Sequence, residues 1–264
     1  MSFSKVGVVG TGVIGEALIG SLMRFGIPKE SILIAEKRDD RKDEILQKYG
    51  VVELASIESV DILLLAVKPQ DLIRTIEEWR ANSHPLPLIV SFAAGIKISA
   101  IEKILGNKTR VIRVMPNTPM TLGRGMSAIS AGAHVTKDDQ DWVNRFLKTT
   151  GEVIEVSEDL QDAVTATSGS GPAYYFAFTE AVVAAATKLG LSEADALILA
   201  KETLLGAALM VEKSGKDLQT LRENVTSPNG TTAAALKSFK DSGLEDLVLA
   251  AMKASRDRSI ELSS

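Results

Sequence analysis

The feature that most constrains the fold is a glycine-rich turn between a short apolar run and an amphipathic stretch near the start of the chain. The turn consists of Gly10, Thr11, Gly12, Val13, Ile14 and Gly15. It follows a strand-like run at 5–9 and opens a predicted helix. In this context Gly10 permits a tight turn, Gly12 lets the backbone approach a pyrophosphate, and Gly15 lets helix and strand pack closely. Because the helix start adds N–H groups and a positive dipole end, we expect this unit to bind a dinucleotide.

Short β-branched runs alternate with amphipathic stretches through the first part of the chain. The predicted strands are 5–9, 32–35, 62–67, 88–91, 110–114 and 128–130, with 153–156 as a further strand. This alternation predicts a parallel sheet with right-handed crossovers. Long Ala- and Leu-rich segments follow at 172–189, 192–214, 231–240 and 244–262. The sequence therefore predicts an α/β fold with a Rossmann-type parallel sheet, residues 1–159, followed by an all-helical domain, residues 160–264.

The first long helical segment, 172–190, is apolar nearly all round. A helical domain of only about a hundred residues cannot bury such a helix by itself. We therefore expect a homodimer. The alternative is a central helix that its own neighbours cover.

Composition excludes several function classes. The formal net charge is -4 and the basic residues do not cluster in the sequence, so we expect no nucleic-acid partner. The chain has no cysteine, and its two histidines, His84 and His134, lie far apart in loop-like surroundings, which predicts surface residues and no metal site. No apolar run approaches the ~20 residues of a membrane span, and the N-terminus lacks a targeting pattern. We expect a cytoplasmic protein with no membrane partner.

The end of the second predicted strand carries conflicting signals about the dinucleotide. Glu36 lies about twenty residues beyond the glycine turn, where a carboxylate accepts from a ribose 2′-hydroxyl and repels a 2′-phosphate. Lys37 and Arg38, with Arg41 nearby, are cations placed to bind that phosphate if Glu36 turns away. The residue pattern leaves both arrangements open.

Further candidate cofactor residues follow later strands, where ligands of open α/β sheets bind. They are Ala66, Val67, Lys68 and Pro69, then Ala93, Ala94 and Gly95, and finally Asn117. Small residues let the backbone pass close to the two ends of a dinucleotide, and proline fixes its turn. Asn117 brings an amide to the expected nicotinamide position. A purely structural turn explains each loop equally well.

Two polar segments, 168–174 and 227–232, interrupt the helical domain. The second places the hydroxyls of Ser227, Thr231 and Thr232 and several unpaired N–H groups at one helix start, which suits a carboxylate. Ordinary capping of the helix by Ser or Thr is the alternative interpretation.

At this point the chain resembles the pyrroline-5-carboxylate reductases nearly from end to end. The resemblance rests on the glycine turn, AVKP at 66–69, AAG at 93–95, MPNTP at 115–119, DAVTATSGSGPAYYF at 162–176 and TSPNGTTAAAL at 226–236. It implies reduction of a cyclic imino acid, 1-pyrroline-5-carboxylate, to L-proline, the last step of proline biosynthesis. It also implies NADPH as cofactor, with NADH as the alternative. The resemblance makes residues 160–264 an all-helical dimerisation and substrate-binding domain, and it implies a homodimer that in this family often assembles into a decamer.

The resemblance also assigns roles within the loop at 227–232. It implies that Ser227, Gly230 and Thr231 bind the substrate carboxylate and that Thr232 contacts the ring nitrogen as the catalytic residue. Asn229 departs from the family pattern, which often has glycine there, so the turn must accept an asparagine, a residue that visits the left-handed region more readily than most.

Two other functions remain as alternatives. A β-hydroxyacid dehydrogenase shares this architecture but uses a lysine of the helical region, and Lys188 is the only lysine in the first long helix. A non-catalytic dinucleotide-sensing protein would bind cofactor without turnover and leaves the second polar segment unexplained.

Overall fold

The computed structural model describes residues 3–78 and 86–262. His84, which the sequence predicts to be a surface residue, lies outside the described residues. In these ranges the strands are β1 (Val6–Val9), β2 (Ile32–Ala35), β3 (Val52–Glu53), β4 (Ile62–Leu65), β5 (Leu88–Ser91), β6 (Val111–Met115), β7 (Gly125–Ala131) and β8 (Gly151–Glu155). They form one sheet in the order β3-β2-β1-β4-β5-β6-β7-β8. The predicted α/β class is confirmed, and the two-residue strand β3 is an addition that the sequence pattern did not indicate.

One pairing departs from the parallel arrangement. β6 and β7 run antiparallel, whereas all other neighbouring strands in the described sheet are parallel. A parallel connection needs a crossover of about a dozen residues or more. The short connection from β6 to β7, which contains the 3-10 turn Thr118–Leu122, is not long enough for one.

Helices cover both faces of the sheet. They are α1 (Val13–Phe25), α2 (Asp39–Tyr49), α3 (Pro69–Glu78), α4 (Ile98–Leu105), α5 (Lys137–Leu147) and the short α6 (Gln161–Val164). Alternate strand residues pack against α1, α2 and α5 on one face and against α3 and α4 on the other. On the first face, the rings of Phe3 and Phe25 meet Trp142 edge-on, and Phe146 stacks on it. The two cores fix the carboxyl ends of β1, β2, β4 and β5 side by side.

The chain divides into two compact units, of which one comprises Met1–Ser170 with Ser255–Ser264 and the other Gly171–Ala254. The second unit contains α7 (Gly171–Lys188), α8 (Glu193–Lys213), α9 (Leu218–Asn224), α10 (Thr231–Asp241) and most of α11 (Leu244–Glu261). The four long predicted helices are present, and α9 is an addition. The boundary predicted at 159/160 precedes α6, which belongs to the first compact unit.

The helical unit leaves much apolar surface uncovered within one chain. Its buried apolar side chains, among the residues described, are Ala196 and Ala200. On α7 the rings of Tyr175, Phe176 and Phe178 are each more than half exposed. A patch of this kind marks an interaction surface. Across the described ranges, no helix is long and apolar enough to cross a membrane.

Candidate dinucleotide and substrate sites

The glycine turn joins β1 to α1. Gly10 has φ +86°, a conformation that favours glycine, and its N–H donates to the Ala35 carbonyl at 2.8 Å. A Cβ at Gly15 would lie 1.9 Å from the Gly10 carbonyl oxygen, so any larger residue would push α1 away. A Cβ at Gly12 would meet nothing within 4 Å. The tight turn expected of Gly10 and the close packing expected of Gly15 are thus confirmed, while Gly12 borders open space.

The start of α1 offers backbone donors to a ligand. Gly12 is the N-cap residue, and no side chain caps the helix. The first N–H groups of such a helix have no intrahelical partner, and the helix dipole adds positive potential there. With the open space at Gly12, this arrangement fits the pyrophosphate of a dinucleotide. Thr11 is fully buried, whereas the side chain of Val13 is exposed.

Glu36, directly after β2, is turned towards the glycine turn. Its Oε2 accepts from the Thr11 N–H and from the Thr11 hydroxyl, each at 2.9 Å, and its Oε1 accepts from the Arg38 N–H at 3.1 Å. Burial by itself raises the pKa of this carboxyl, but these hydrogen bonds outweigh it, and the net pKa lies below the usual value. Glu36 is therefore ionised at neutral pH.

Each of the three guanidinium nitrogens of Arg41 bonds to a protein group. Its Nε donates to the Thr11 carbonyl at 3.0 Å and its Nη1 to Glu44 at 2.7 Å, while Nη2 pairs with Glu16. Lys48 donates to the same Glu16 carboxylate at 2.7 Å. Glu16 could not be predicted from the sequence, because its partners lie 25 or more residues away. Its one local signal is that it is an acidic residue in the first turn of a helix.

The two loops after β4 and β5 take the expected places at the carboxyl edge of the sheet. Ala66 donates to the Val9 carbonyl at 2.8 Å, and Pro69 is the first residue of α3, where proline is favoured. Ala93 is buried, and Lys68 is exposed. Val67 and Ala94 are partly buried.

The C-terminal segment packs against the second of these loops. A Cβ at Gly95 would lie 3.0 Å from the Ser259 carbonyl oxygen and 3.3 Å from the Leu262 Cβ. The buried Ser259 hydroxyl donates to Asp162 at 2.7 Å, and Asp162 lies 3.6 Å from the buried guanidinium of Arg113. No local pattern in the sequence indicated this contact.

Asn117, after β6, bridges two backbone segments. Its Nδ2 donates to the Ser168 carbonyl at 3.0 Å, and its Oδ1 accepts from the Met126 N–H at 2.8 Å. The amide therefore holds the 115–119 turn in shape. A cofactor contact of Asn117 stays a prediction.

The second compact unit contains the loop at 227–232. Asn229 has φ 58°, and it is the one non-glycine residue with a positive φ in the described ranges, which confirms that the turn accepts an asparagine. A Cβ at Gly230 would lie 2.3 Å from the Ser227 Oγ. Gly230 is the N-cap of α10, and no side chain caps this helix, so its N–H groups are open to a ligand as an anion site requires. Thr231 is exposed and Thr232 is half-buried.

Known protein families match both parts of the chain. A family model described as "Pyrroline-5-carboxylate reductase dimerisation" matches residues 158–262, and one described as "NADP oxidoreductase coenzyme F420-dependent" matches residues 5–95. The chain is 38% identical to the pyrroline-5-carboxylate reductase of Corynebacterium melassecola over 98% of both chains. It is also 38% identical to that of Pseudomonas aeruginosa over 100% of this chain and 98% of the relative.

Solved structures agree with these matches. A pyrroline-5-carboxylate reductase from Coxiella burnetii superposes with a TM-score of 0.91 at 34% identity, covering 100% of both chains. A pyrroline carboxylate reductase from Plasmodium falciparum, solved with NADP bound, superposes with a TM-score of 0.84 at 29% identity, covering 98% of both chains. The similarity therefore extends over the glycine turn and the 227–232 loop together.

Proposed function

This chain belongs to the pyrroline-5-carboxylate reductase family, and on that premise we propose that it reduces 1-pyrroline-5-carboxylate to L-proline with NAD(P)H, the last step of proline biosynthesis. The observation that carries the proposal is the 38% sequence identity, over nearly the whole chain, with relatives named pyrroline-5-carboxylate reductase. The test is oxidation of NAD(P)H by pyrroline-5-carboxylate, compared with reduction of NAD(P)⁺ by 3-hydroxyacids. A chain that oxidises only the hydroxyacids, or neither, would refute the proposal.

The dinucleotide supplies a hydride when it is bound, and residues 1–159 bind and orient it. The uncapped start of α1 and the open face of Gly12 support a pyrophosphate at the glycine turn. We assign the loops at 66–69 and 93–95, and Asn117, to the remainder of the dinucleotide. The chain has no cysteine and two histidines, which suits this reaction, because a protonated imine carbon is electron-poor and needs little acid-base preparation.

Residues 160–264 hold the substrate in this proposal. Ser227, Gly230 and Thr231 bind its carboxylate at the start of α10, where uncapped N–H groups and the dipole favour an anion. The Thr232 hydroxyl hydrogen-bonds the ring nitrogen and keeps its proton in place. Rate then comes mainly from positioning and from exclusion of water.

Substitution of Thr232 tests this assignment. We expect Thr232→Ala to lower kcat/KM by an amount equivalent to about 1–3 kcal/mol of activation free energy, with the affinity for the dinucleotide unchanged. Thr232→Ser keeps the hydroxyl and should retain most of the wild-type kcat/KM. Thr187→Ala is a matched control, because its hydroxyl bonds only to the Val183 carbonyl one turn earlier in α7. Equal activity of Thr232→Ala and the control would remove Thr232 from the mechanism.

The rival functions have less support. Lys188, the lysine that a β-hydroxyacid dehydrogenase would require, is exposed in the last turn of α7. A sensing protein would bind NAD(P)H tightly and show no turnover with any imine. The activity assay separates all three functions.

The protein is a homo-oligomer of the family type, and we assign its basic assembly to a homodimer formed through residues 160–264. The exposed rings of Tyr175, Phe176 and Phe178 support this interface. Further assembly of dimers into a decamer is part of the proposal, as is a cytoplasmic location. Light scattering at micromolar concentration decides the assembly, and a monomer would refute the interface.

A further inference from the structure

The Glu36 carboxylate is fixed by donors from two directions. Thr11, whose side chain is completely buried, gives it both its N–H and its hydroxyl, and Arg38 gives its N–H. The Glu36 side chain is only 12% exposed. Since the Thr11 hydroxyl belongs to the glycine turn itself, the carboxylate is tied to the place where a dinucleotide binds.

The hydrogen-bonding capacity of Glu36 selects the group that it can receive. An ionised carboxylate has about four acceptor sites and no donor. Thr11 fills two of them and Arg38 fills one, which leaves room on Oε1 for one further donor. A ribose 2′-hydroxyl is such a donor. A 2′-phosphate is an acceptor that carries negative charge, so it meets repulsion at the same position.

The nearby cations do not compensate for this charge. Arg41, which the sequence offers as a phosphate ligand, has all three guanidinium nitrogens engaged with Thr11, Glu44 and Glu16. The Lys37 ammonium lies 3.6 Å from Glu78, and the Arg38 Nε lies 4.0 Å from the Glu36 Oε1, which is beyond hydrogen-bond distance. Both side chains are more than half exposed, so solvent weakens their interactions with a phosphate.

We infer that Glu36 is the residue that makes this enzyme prefer NADH over NADPH, and that Thr11 is the positioning residue that holds it for this task. The inference rests on the proposed function only in requiring that the glycine turn bind a dinucleotide. Both dinucleotides bind, and the carboxylate sets their order.

The experiment measures binding of NADH and of NADPH to the full-length protein by fluorescence titration, without substrate. For the wild type we expect NADH to bind about tenfold more tightly. Glu36→Gln keeps a carbonyl oxygen for the Thr11 donors but removes the charge, and the preference should fall to about twofold or less. Glu53→Gln is the matched control, because it removes the same charge from the neighbouring strand β3. The ratio of NADH to NADPH affinity in this variant should equal that of the wild type.

A second pair of variants tests Thr11 separately. Thr11→Val keeps the shape and the N–H but removes the hydroxyl, so we expect the preference for NADH to fall at least about threefold. Thr11→Ser keeps the hydroxyl and should retain it. A purely structural role would weaken both dinucleotides equally in Thr11→Val and leave their ratio unchanged, which would overturn the role of Thr11.

The two proposals fail in different ways. Equal affinity, or tighter binding of NADPH, in the wild type overturns the role of Glu36, as does an unchanged ratio in Glu36→Gln. Absence of turnover with pyrroline-5-carboxylate overturns the proposed function but leaves the binding ratio intact.

Discussion

Glu16 is the centre of a cluster of polar and charged side chains in the first unit. We expect that removing its charge destabilises the folded state at neutral pH. Its carboxylate accepts from Lys48 at 2.7 Å, from Tyr49 at 3.0 Å and from Arg41. The Lys48 bond, with those of Arg41 and Tyr49, outweighs burial and lowers the pKa of Glu16 from 4.5 to about 2. The cluster thereby joins the first turn of α1 to α2.

The size of the effect follows from this pKa. One unit of difference between folded and unfolded states corresponds to about 1.4 kcal/mol, so the full shift corresponds to about 3 kcal/mol. The Glu16 side chain is 23% exposed, and solvent screening reduces this contribution. We expect Glu16→Gln to lower the free energy of unfolding by about 1–3 kcal/mol at pH 7.

The pH dependence provides the sharper test. Because the folded pKa is depressed, the stabilisation is present above pH 4.5 and is lost as the pH falls towards 2. The difference between wild type and Glu16→Gln should therefore shrink steadily between pH 4.5 and pH 3, an interval inside that window.

Equilibrium urea unfolding at one fixed protein concentration, followed by circular dichroism, measures this difference. Glu44→Gln is the matched control, since Glu44 bonds the same Arg41 from an exposed position and should cost at most about 0.5 kcal/mol. The reasoning is refuted if the two variants cost the same at pH 7, or if the cost of Glu16→Gln is as large at pH 3 as at pH 7.

Two further substitutions test the packing around the site. Gly15→Ala places a Cβ 1.9 Å from the Gly10 carbonyl oxygen, so we expect NADH affinity to fall at least about tenfold, whereas Gly20→Ala in the same helix, with 3.5 Å to its nearest neighbour, should leave it unchanged; fluorescence titration decides. Ser259→Ala removes a buried donor to Asp162 and should lower the free energy of unfolding by about 1–3 kcal/mol, and an unchanged urea midpoint would contradict this.

Local signals in the sequence predicted those features that depend on neighbouring residues. The tasks of Gly10 and Gly15 follow from a strand, a turn and a helix in succession, and the structure shows both. The left-handed turn at Asn229 is also a property of one short segment. The antiparallel β7 was not predicted, although the short connection before it contains the physical reason.

Contacts between distant segments were beyond the reach of such signals. The orientation of Glu36 is decided by a hydroxyl 25 residues earlier in the chain, and the charges after it gave equal support to the opposite arrangement. The contact of Gly95 with Ser259 joins the middle of the first segment of this unit to the C-terminal segment, which the chain reaches only after passing through the second unit. Periodicity describes what one segment buries, not which distant segment covers it.

Thr11 joins the fold of the turn to the choice of cofactor. Its N–H is held by Glu36 and its carbonyl by Arg41, so one peptide segment of the glycine turn is fixed from both sides by residues that follow β2. A change of cofactor preference at these positions therefore carries a structural consequence. Replacing Arg41 would release the turn and weaken every dinucleotide, whereas Glu36→Gln leaves an oxygen in place for the Thr11 N–H. Only the second change separates the charge that selects the ribose from the hydrogen bond that holds the turn.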